Sequence, residues 1–303
     1  MTAMPLPLRF QVGARTLMAV QRQLVRVPLS LDEAMEGRLP LLPVLDRTAH
    51  GYSITSLPAD RRDAMAFAGG SMIAFVRQSY TRNYIDFTIG FEAYQAGLSA
   101  NTRSTMRRKA RKVADVSGGA LDIRRFRTPD EMTAFHDIAR RISLRTYQER
   151  LLGGGLPDDD AFLRQMYSAA AADSVRAWLL YVAGEPAAYL YCPVQGGVVR
   201  YDHVGHDPAF NDLSPGGVLQ MAALEDLFGE GRFARFDFTE GDGQHKRQFA
   251  TGGVPCIDML LLRASLVNRL TTVALGGFNR SMALGKRATN RLGLQKMAKR
   301  LRR

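Results

Sequence analysis

The stretch Val204–Leu219, VGHDPAFNDLSPGGVL, carries a strand pattern through a short irregular loop into a helix pattern. Three apolar runs lead up to it at hairpin spacing: Val175–Tyr181, Ala187–Val194 and Val198–Val204. The turns between them are Ala183-Gly184-Glu185-Pro186 and Gln195-Gly196-Gly197. The helix pattern opens at Ser214-Pro215 and ends near Phe228, where Gly229 and Gly231 close it. Free N–H groups and the dipole at a helix N-terminus bind anions, and glycine lets a ligand approach the backbone. Pro215 has no N–H, so Ser214 would stand at the cap and Gly216, Gly217 and Val218 would donate. A tight helix start without a ligand has the same pattern.

Before the three strands, Leu121–Phe126 alternates like a strand. Thr128-Pro129-Asp130-Glu131 is a capping box with Pro in the first turn, and it predicts a helix to about Arg150. Asp158-Asp159-Asp160 opens a second helix ending near Ala172. After the Ser214 helix come a strand at Phe233–Phe238, a polar loop at Glu240–Ala250 and a last strand at Ile257–Leu262. The fold class is α/β (α+β), a mixed sheet flanked by helices. Residues 1–97 contain strand-like stretches at Leu17–Val27, Met72–Val76 and Tyr84–Ile89, and form an amino-terminal α+β half. Residues 98–118 form a basic connecting helix, 119–262 the core, and 263–303 a basic amphipathic helical tail.

The chain has 303 residues and a formal net charge of +12. From Arg263 to Arg303 there are 11 Lys+Arg and no acid, so residues 1–262 hold 30 cations against 29 anions. The excess belongs to the tail. There Leu294, Met297, Ala298 and Leu301 share a helical face among lysines and arginines, and Leu266, Leu270 and Ala274 make a similar stripe. Such helices bind anionic bilayer surfaces. A basic helix packed on the body fits equally well. In the 98–118 helix, Thr102, Met106, Ala110 and Val113 form one apolar stripe, and Arg107 and Arg108 are among the cations elsewhere. Those cations make either a solvated face or an arm over an anionic ligand.

Two cysteines are too few for a disulfide framework. Met1–Gln11 lacks the basic-then-apolar order of a leader, and no apolar run reaches membrane-spanning length. A soluble cytoplasmic protein is expected, with a peripheral place at the inner face of the cell membrane as an option. The P-loop, dinucleotide-binding and nucleophile-elbow glycine motifs are absent.

Two polar clusters remain. Phe236–Lys246 carries Asp237, Glu240, Asp242, His245 and Lys246 at a strand end. Glu240 or His245 would serve as general base, and Asp237 and Lys246 as substrate contacts. Tyr201-Asp202-His203-Val204-Gly205-His206 puts Tyr201 and His203 on one strand face and Asp202 on the other. Its His-x-x-His spacing suits no standard metal pair, so no metal is expected. Tyr201 and Asp202 are read as site residues, and Tyr147 and Gln148 as substrate-lining.

Residues 119–262 resemble the GNAT acyltransferases, with Leu213–Gly217 at the place of the loop that cradles the pyrophosphate of acyl-CoA. The usual Gln or Arg of that loop is missing and a Pro sits inside it. This departure is similar to the Fem-like, BioF-like branch associated with cellulose or exopolysaccharide biosynthesis. The pieces carrying the likeness include Gly90-Phe-Glu-Ala-Tyr94, Leu98–Lys109, Thr146-Tyr-Gln148, Tyr201-Asp202, Asp207-Pro208, Ser214-Pro-Gly216, Phe236–Gly241 and His245-Lys246. The resemblance implies an amino-terminal part that is a partial or degenerate GNAT-like half. It implies direct transfer from acetyl-CoA or another acyl-CoA to an amine or hydroxyl of a sugar or cell-envelope intermediate. Two alternatives stay open: an aminoacyl-tRNA donor, as in Fem proteins, or an inactive scaffold for polysaccharide assembly at the membrane.

Overall fold

The computed structural model describes residues 3–12, 15–146 and 155–291. In chain order the first elements are β1 (Met4–Val12), β2 (Arg15–Pro28), α1 (Leu31–Met35), β3 (Gly51–Pro58), α2 (Arg62–Ala68), β4 (Ile73–Asp86), α3 (Phe91–Gly97) and α4 (Ala100–Val116). Then come β5 (Asp122–Phe126), α5 (Pro129–Arg145), α6 (Asp160–Ala171), β6 (Val175–Val182), β7 (Glu185–Gln195), β8 (Val198–Arg200) and β9 (His203–His206). The chain continues with α7 (Pro215–Glu230), β10 (Arg235–Asp237), α8 (Gln244–Phe249), β11 (Gly252–Leu262) and α9 (Leu266–Arg291).

The chain forms two compact units, Met1–Thr81 with Val254–Arg303, and Arg82–Gly253. These limits depart from the sequence boundaries at residues 97 and 262. Val254–Leu262 returns to the first unit because β11 pairs antiparallel with β3, Cys256 opposite Pro58 and Leu262 opposite Gly51. Arg82–Gly97 belongs with the second because Tyr84–Asp86 pairs with Arg235–Asp237.

In the first unit the strand order is β1-β2-β3-β11-β4. One face of this sheet packs Val25, Val27, Ile54, Ile257 and Leu261. The other packs Leu8, Phe10, Leu24, Leu260 and Leu262 beneath Leu275 of α9.

In the second unit β10 lies between β4 and β8, and β7, β6 and β5 follow. β6, VRAWLLYV, is buried along its whole length, as a strand covered on both faces must be. Trp178, Leu180 and Val182 face Leu219, Ala223 and Leu227 of α7. Ala177, Leu179 and Tyr181 face Met132, Phe135 and Ala139 of α5 and Met166 of α6. The Thr128–Glu131 capping box starts α5, and the Asp159 carboxylate accepts the N–H groups of Ala161 and Phe162 at the start of α6. In α4, Met106, Ala110 and Val113 pack on the core beside α7.

Arg82 and Asp237 are each 1% exposed. Arg82 Nε donates to Asp237 Oδ1 at 3.1 Å and Nη2 to Oδ2 at 2.6 Å. Removing one partner of a buried pair leaves the other charge without compensation. Arg82→Leu and Asp237→Asn should therefore each cost about 3–5 kcal/mol in urea unfolding. The double variant should fall short of their sum by on the order of 1–3 kcal/mol. Strict additivity would show that the two groups act separately.

Candidate active site

The third meander strand is broken where the sequence reads as continuous. Val199 of β8 lies opposite Val194 of β7, and His203 of β9 lies opposite Tyr191. Three residues, Arg200–Asp202, thus span two on β7, which is a β-bulge. The extra residue reverses the side-chain alternation. Tyr201 packs against Phe236 and Phe238 on the α7 face, whereas His203 packs against Phe162 and Tyr191 on the α5–α6 face. The expectation that Tyr201 and His203 share a face fails for this reason.

The bulge also opens the sheet. β8 and β10 run parallel, Val198 opposite Arg235 and Arg200 opposite Asp237. Their last bond is the Tyr201 N–H donating to the Asp237 carbonyl at 2.9 Å. Beyond it β9 stays with β7, while the Phe238 N–H donates to the Asn83 carbonyl at 3.1 Å. A wedge therefore opens between β9 and the segment after β10. The Asp207 N–H donates to the Ala187 carbonyl at 2.8 Å and sets the phase of the β9 ladder. By antiparallel alternation the backbone groups of Val204 and His206 point away from β7 toward the wedge. Gly205 admits no side chain, since a Cβ there would lie 2.5 Å from the Tyr189 ring.

Past β9, Asp207 starts a 3-10 segment at Pro208–Leu213 and accepts hydrogen bonds from Ala209 N–H (2.9 Å) and Arg145 Nη1 (2.6 Å). Burial pushes the Asp207 carboxyl up, but these donors more than offset it and hold it below the usual carboxylate range. Ser214 follows with φ 54° and does not cap α7 through its side chain. The Gly217 and Val218 N–H groups both turn back to the Ser214 carbonyl, at 3.1 and 3.4 Å. Of the three expected donors, only Gly216 N–H has no acceptor among the described residues.

Neither glycine is required by the protein's own packing. A Cβ at Gly216 would meet only His206 Nδ1 at 3.7 Å, and one at Gly217 only Met106 Sδ at 3.9 Å. Two glycines in a helix cost about 1 kcal/mol each against alanine. A ligand touching the backbone is a physical reason to keep them. Lys112 of α4 reaches this turn, its Nζ donating to the Asp212 carbonyl at 3.2 Å. Lys109 lies three residues earlier on the same side of α4. Arg107 instead lines a groove with Met106, Val218, Met221 and Glu225, and Arg108 is exposed. A helix basic on several faces hides which side meets the neighbouring turn, so the sequence singles out Arg107 and Arg108 rather than the two lysines.

Around the wedge the expected residues separate. Tyr201 is buried and donates to Gln220 Oε1 at 3.3 Å. Burial holds the Tyr201 phenol well above its ordinary value, so it stays protonated at neutral pH. Gln220, 3% exposed, has no acceptor for its Nε2 among the described residues. Its signal was a Gln in the apolar stripe of Val218, Leu219, Ala223 and Leu224. The His245 ring lies 6.4 Å from the Tyr201 ring and folds back over Gly243. Burial of the ring, then the Lys246 charge, hold its pKa below the ordinary histidine value. Lys246 Nζ donates to the Glu240 carbonyl at 2.7 Å, so it ties down the loop that was expected to use it on substrate. The Glu240 carboxylate makes no hydrogen bond among the described residues.

Asp237 is unavailable to a substrate. Both oxygens meet Arg82, and Oδ1 also accepts the Thr239 N–H at 2.8 Å. Asp202 is exposed and accepts from Arg200 Nε at 3.1 Å, away from Tyr201's buried face. Tyr147 and Gln148 lie outside the described residues. No group of three or more His, Cys, Asp or Glu among the described residues could hold a metal ion.

Residues 100–247 match the family described as the acetyltransferase (GNAT) domain. The chain carries a GNAT acetyltransferase-type domain. The matched GNAT stretch lies within the Arg82–Gly253 unit and includes the basic helix, the wedge and the Ser214 turn. It forms a GNAT-fold acyltransferase domain. No curated protein matches the chain in sequence. The fold is also similar to that of FemX, with a TM-score of 0.53 at 11% identity over 89% of this chain and 91% of that one. A second likeness is to the C-terminal domain of a protein from Agrobacterium fabrum described as a lysylphosphatidylglycerol synthetase. It has a TM-score of 0.51 at 12% identity over 75% of this chain and 71% of that one.

Thr239 has φ 60°, a rare conformation for a β-branched residue. Such strain costs about 1–3 kcal/mol and persists only where surrounding contacts impose it. Thr239→Gly should raise unfolding free energy by about 1 kcal/mol, strain relief exceeding the entropy that glycine adds to the unfolded chain. A less stable variant would show that the backbone there is unstrained.

Proposed function

We propose that the GNAT domain transfers an acyl group from acyl-CoA directly to an amine or hydroxyl of a sugar or cell-envelope intermediate. The observation that carries the donor assignment is the pair of glycines at Gly216 and Gly217, which nothing in the protein's own packing requires. Gly216 N–H, the α7 dipole, Lys109 and Lys112 suit a pyrophosphate. The Val204 N–H faces the wedge and suits a polarised carbonyl oxygen. His245, neutral at pH 7, takes the acceptor's proton, with Glu240 as the other base within the loop. Tyr201, its proton committed to Gln220, borders the His245 ring, and the departing CoA thiolate takes up a proton from water. Positioning supplies most of the rate, and no covalent enzyme intermediate is needed.

The likeness to FemX supports a second reading by analogy of fold, in which an aminoacyl-tRNA is the donor. The lysines and arginines of α4 would then hold RNA phosphates. A catalytically inactive GNAT scaffold is the third.

Calorimetry with acetyl-CoA separates these readings. Gly216→Ala/Gly217→Ala should stabilise the protein by about 1–2 kcal/mol through helix propensity. It should also weaken acetyl-CoA binding about tenfold, because the close approach is lost. Unaltered affinity would sink the cradle. Activity lost on RNase treatment would favour the tRNA donor.

A pH–rate profile tests the base. The lowered His245 pKa places the acid limb of kcat/KM below the ordinary histidine value of 6.5. Activity is full above that limb and falls as pH drops through it and the ring protonates. His245→Ala should remove the limb and cost about 10²–10⁴-fold. A limb that persists in the variant would move the role to Glu240.

A further inference from the structure

Helix α9 wears its polarity inside out. Its inner face against the first unit's sheet presents Asn268, Thr271 and Thr272, all under 9% exposed, beside Leu275. Buried Arg22 holds that polar face. Its Nε donates to Asn268 Oδ1 at 3.0 Å and its Nη2 to Thr271 Oγ1 at 2.6 Å. The Asn268 Nδ2 donates to the Arg263 carbonyl at 2.9 Å, and Phe278 meets Phe10 edge-on. The helix is therefore fixed in rotation by specific bonds.

That rotation turns its apolar residues outward. Leu266 is 80% exposed, Leu270 70%, Val273 73% and Leu284 63%. At 100° per residue, Leu266, Val273 and Leu284 fall within about 20° of one another, with Leu270 about 40° away. Arg269 and Arg280 border the stripe on one side. A surface helix normally buries such a stripe. Here hydrogen bonds have been used to keep it out.

We propose that the outer face of α9 lies on an anionic lipid bilayer, with the helix axis in the membrane plane. Charge selects this occupant. The segment Arg263–Arg303 has 11 Lys+Arg and no Asp or Glu, and the helix itself carries five cations. A second copy on the same face would set these cations against one another without an acid between them. A nucleic acid would answer the charge but leave the leucines in water. A bilayer carrying anionic headgroups answers both, because apolar side chains enter the acyl boundary while the arginines stay at headgroup level. No helix among the described residues is long and apolar enough to cross a membrane, so the contact is a surface one. α9 has 26 residues and is about 39 Å long, enough to lie along the surface for its whole length.

The test is cosedimentation of the full chain with phosphatidylcholine vesicles, with and without about 30 mol % phosphatidylglycerol to make the surface negative. The intact protein should pellet with the anionic vesicles and stay largely in solution with the neutral ones. Leu270→Ser/Val273→Ser keeps every charge and alters only exposed positions. It should retain the thermal unfolding midpoint yet lose about tenfold or more in vesicle affinity, since each buried methylene contributes. Equal pelleting by this variant would assign binding to charge alone and overturn the proposal. So would failure of the intact protein to pellet, or a lipid-free dimer in light scattering that the double variant dissolves. None of these readouts involves acyl transfer, so they stand or fall apart from the enzymatic reading.

Discussion

The ion pair between Arg82 and Asp237 fixes the polar end of the GNAT domain. Both groups are buried, so neither charge is tolerable without the other. Arg82 sits on β4 and Asp237 ends β10, and the pair holds these strands together where β8 and β9 change partners. The same carboxylate accepts the Thr239 N–H and so holds that residue at positive φ. From Thr239 the chain passes to Glu240, whose carbonyl is tied by Lys246, and to His245 beside Tyr201. Breaking the pair would loosen each candidate group of the loop in turn.

Much of this domain was legible in the chain because its signals are local. The Thr128 capping box, the Asp159 cap and the unbroken apolar run of β6 each speak within a few residues, and the structure bears them out. The site was less legible because its decisive contacts are remote. Asp237 looked like a substrate contact since its partner lies 155 residues upstream. Lys246 looked free because the carbonyl it holds belongs to backbone. The bulge at Arg200–Asp202 leaves no compositional mark, so the alternation was carried one residue too far. The long β4, by contrast, reads in the sequence only as two pieces, because the stretch between them is polar, including the buried Arg82 and Asn83.

The cations of the two units differ in their setting. In the GNAT domain Lys112 stands at the start of α7, beside the positive end of the helix dipole. Along α9 the sequence carries cations without acids. One arrangement suits a compact anion, the other an extended surface. Net charge alone could not tell them apart.

The bulge has one more consequence. Side chains along a strand obey a two-step rhythm, and Arg200–Asp202 inserts a single extra beat. What matters at this point is how many residues there are, more than which ones. Asp202 is exposed, and its carboxylate accepts from Arg200. Removing it would interchange inside and outside for all of β9, driving Gly205 off the Tyr189 ring and seating a bulky neighbour there. Length is thus a conserved quantity of this site in the mechanical sense, enforced by one tyrosine ring that has room for hydrogen and nothing larger.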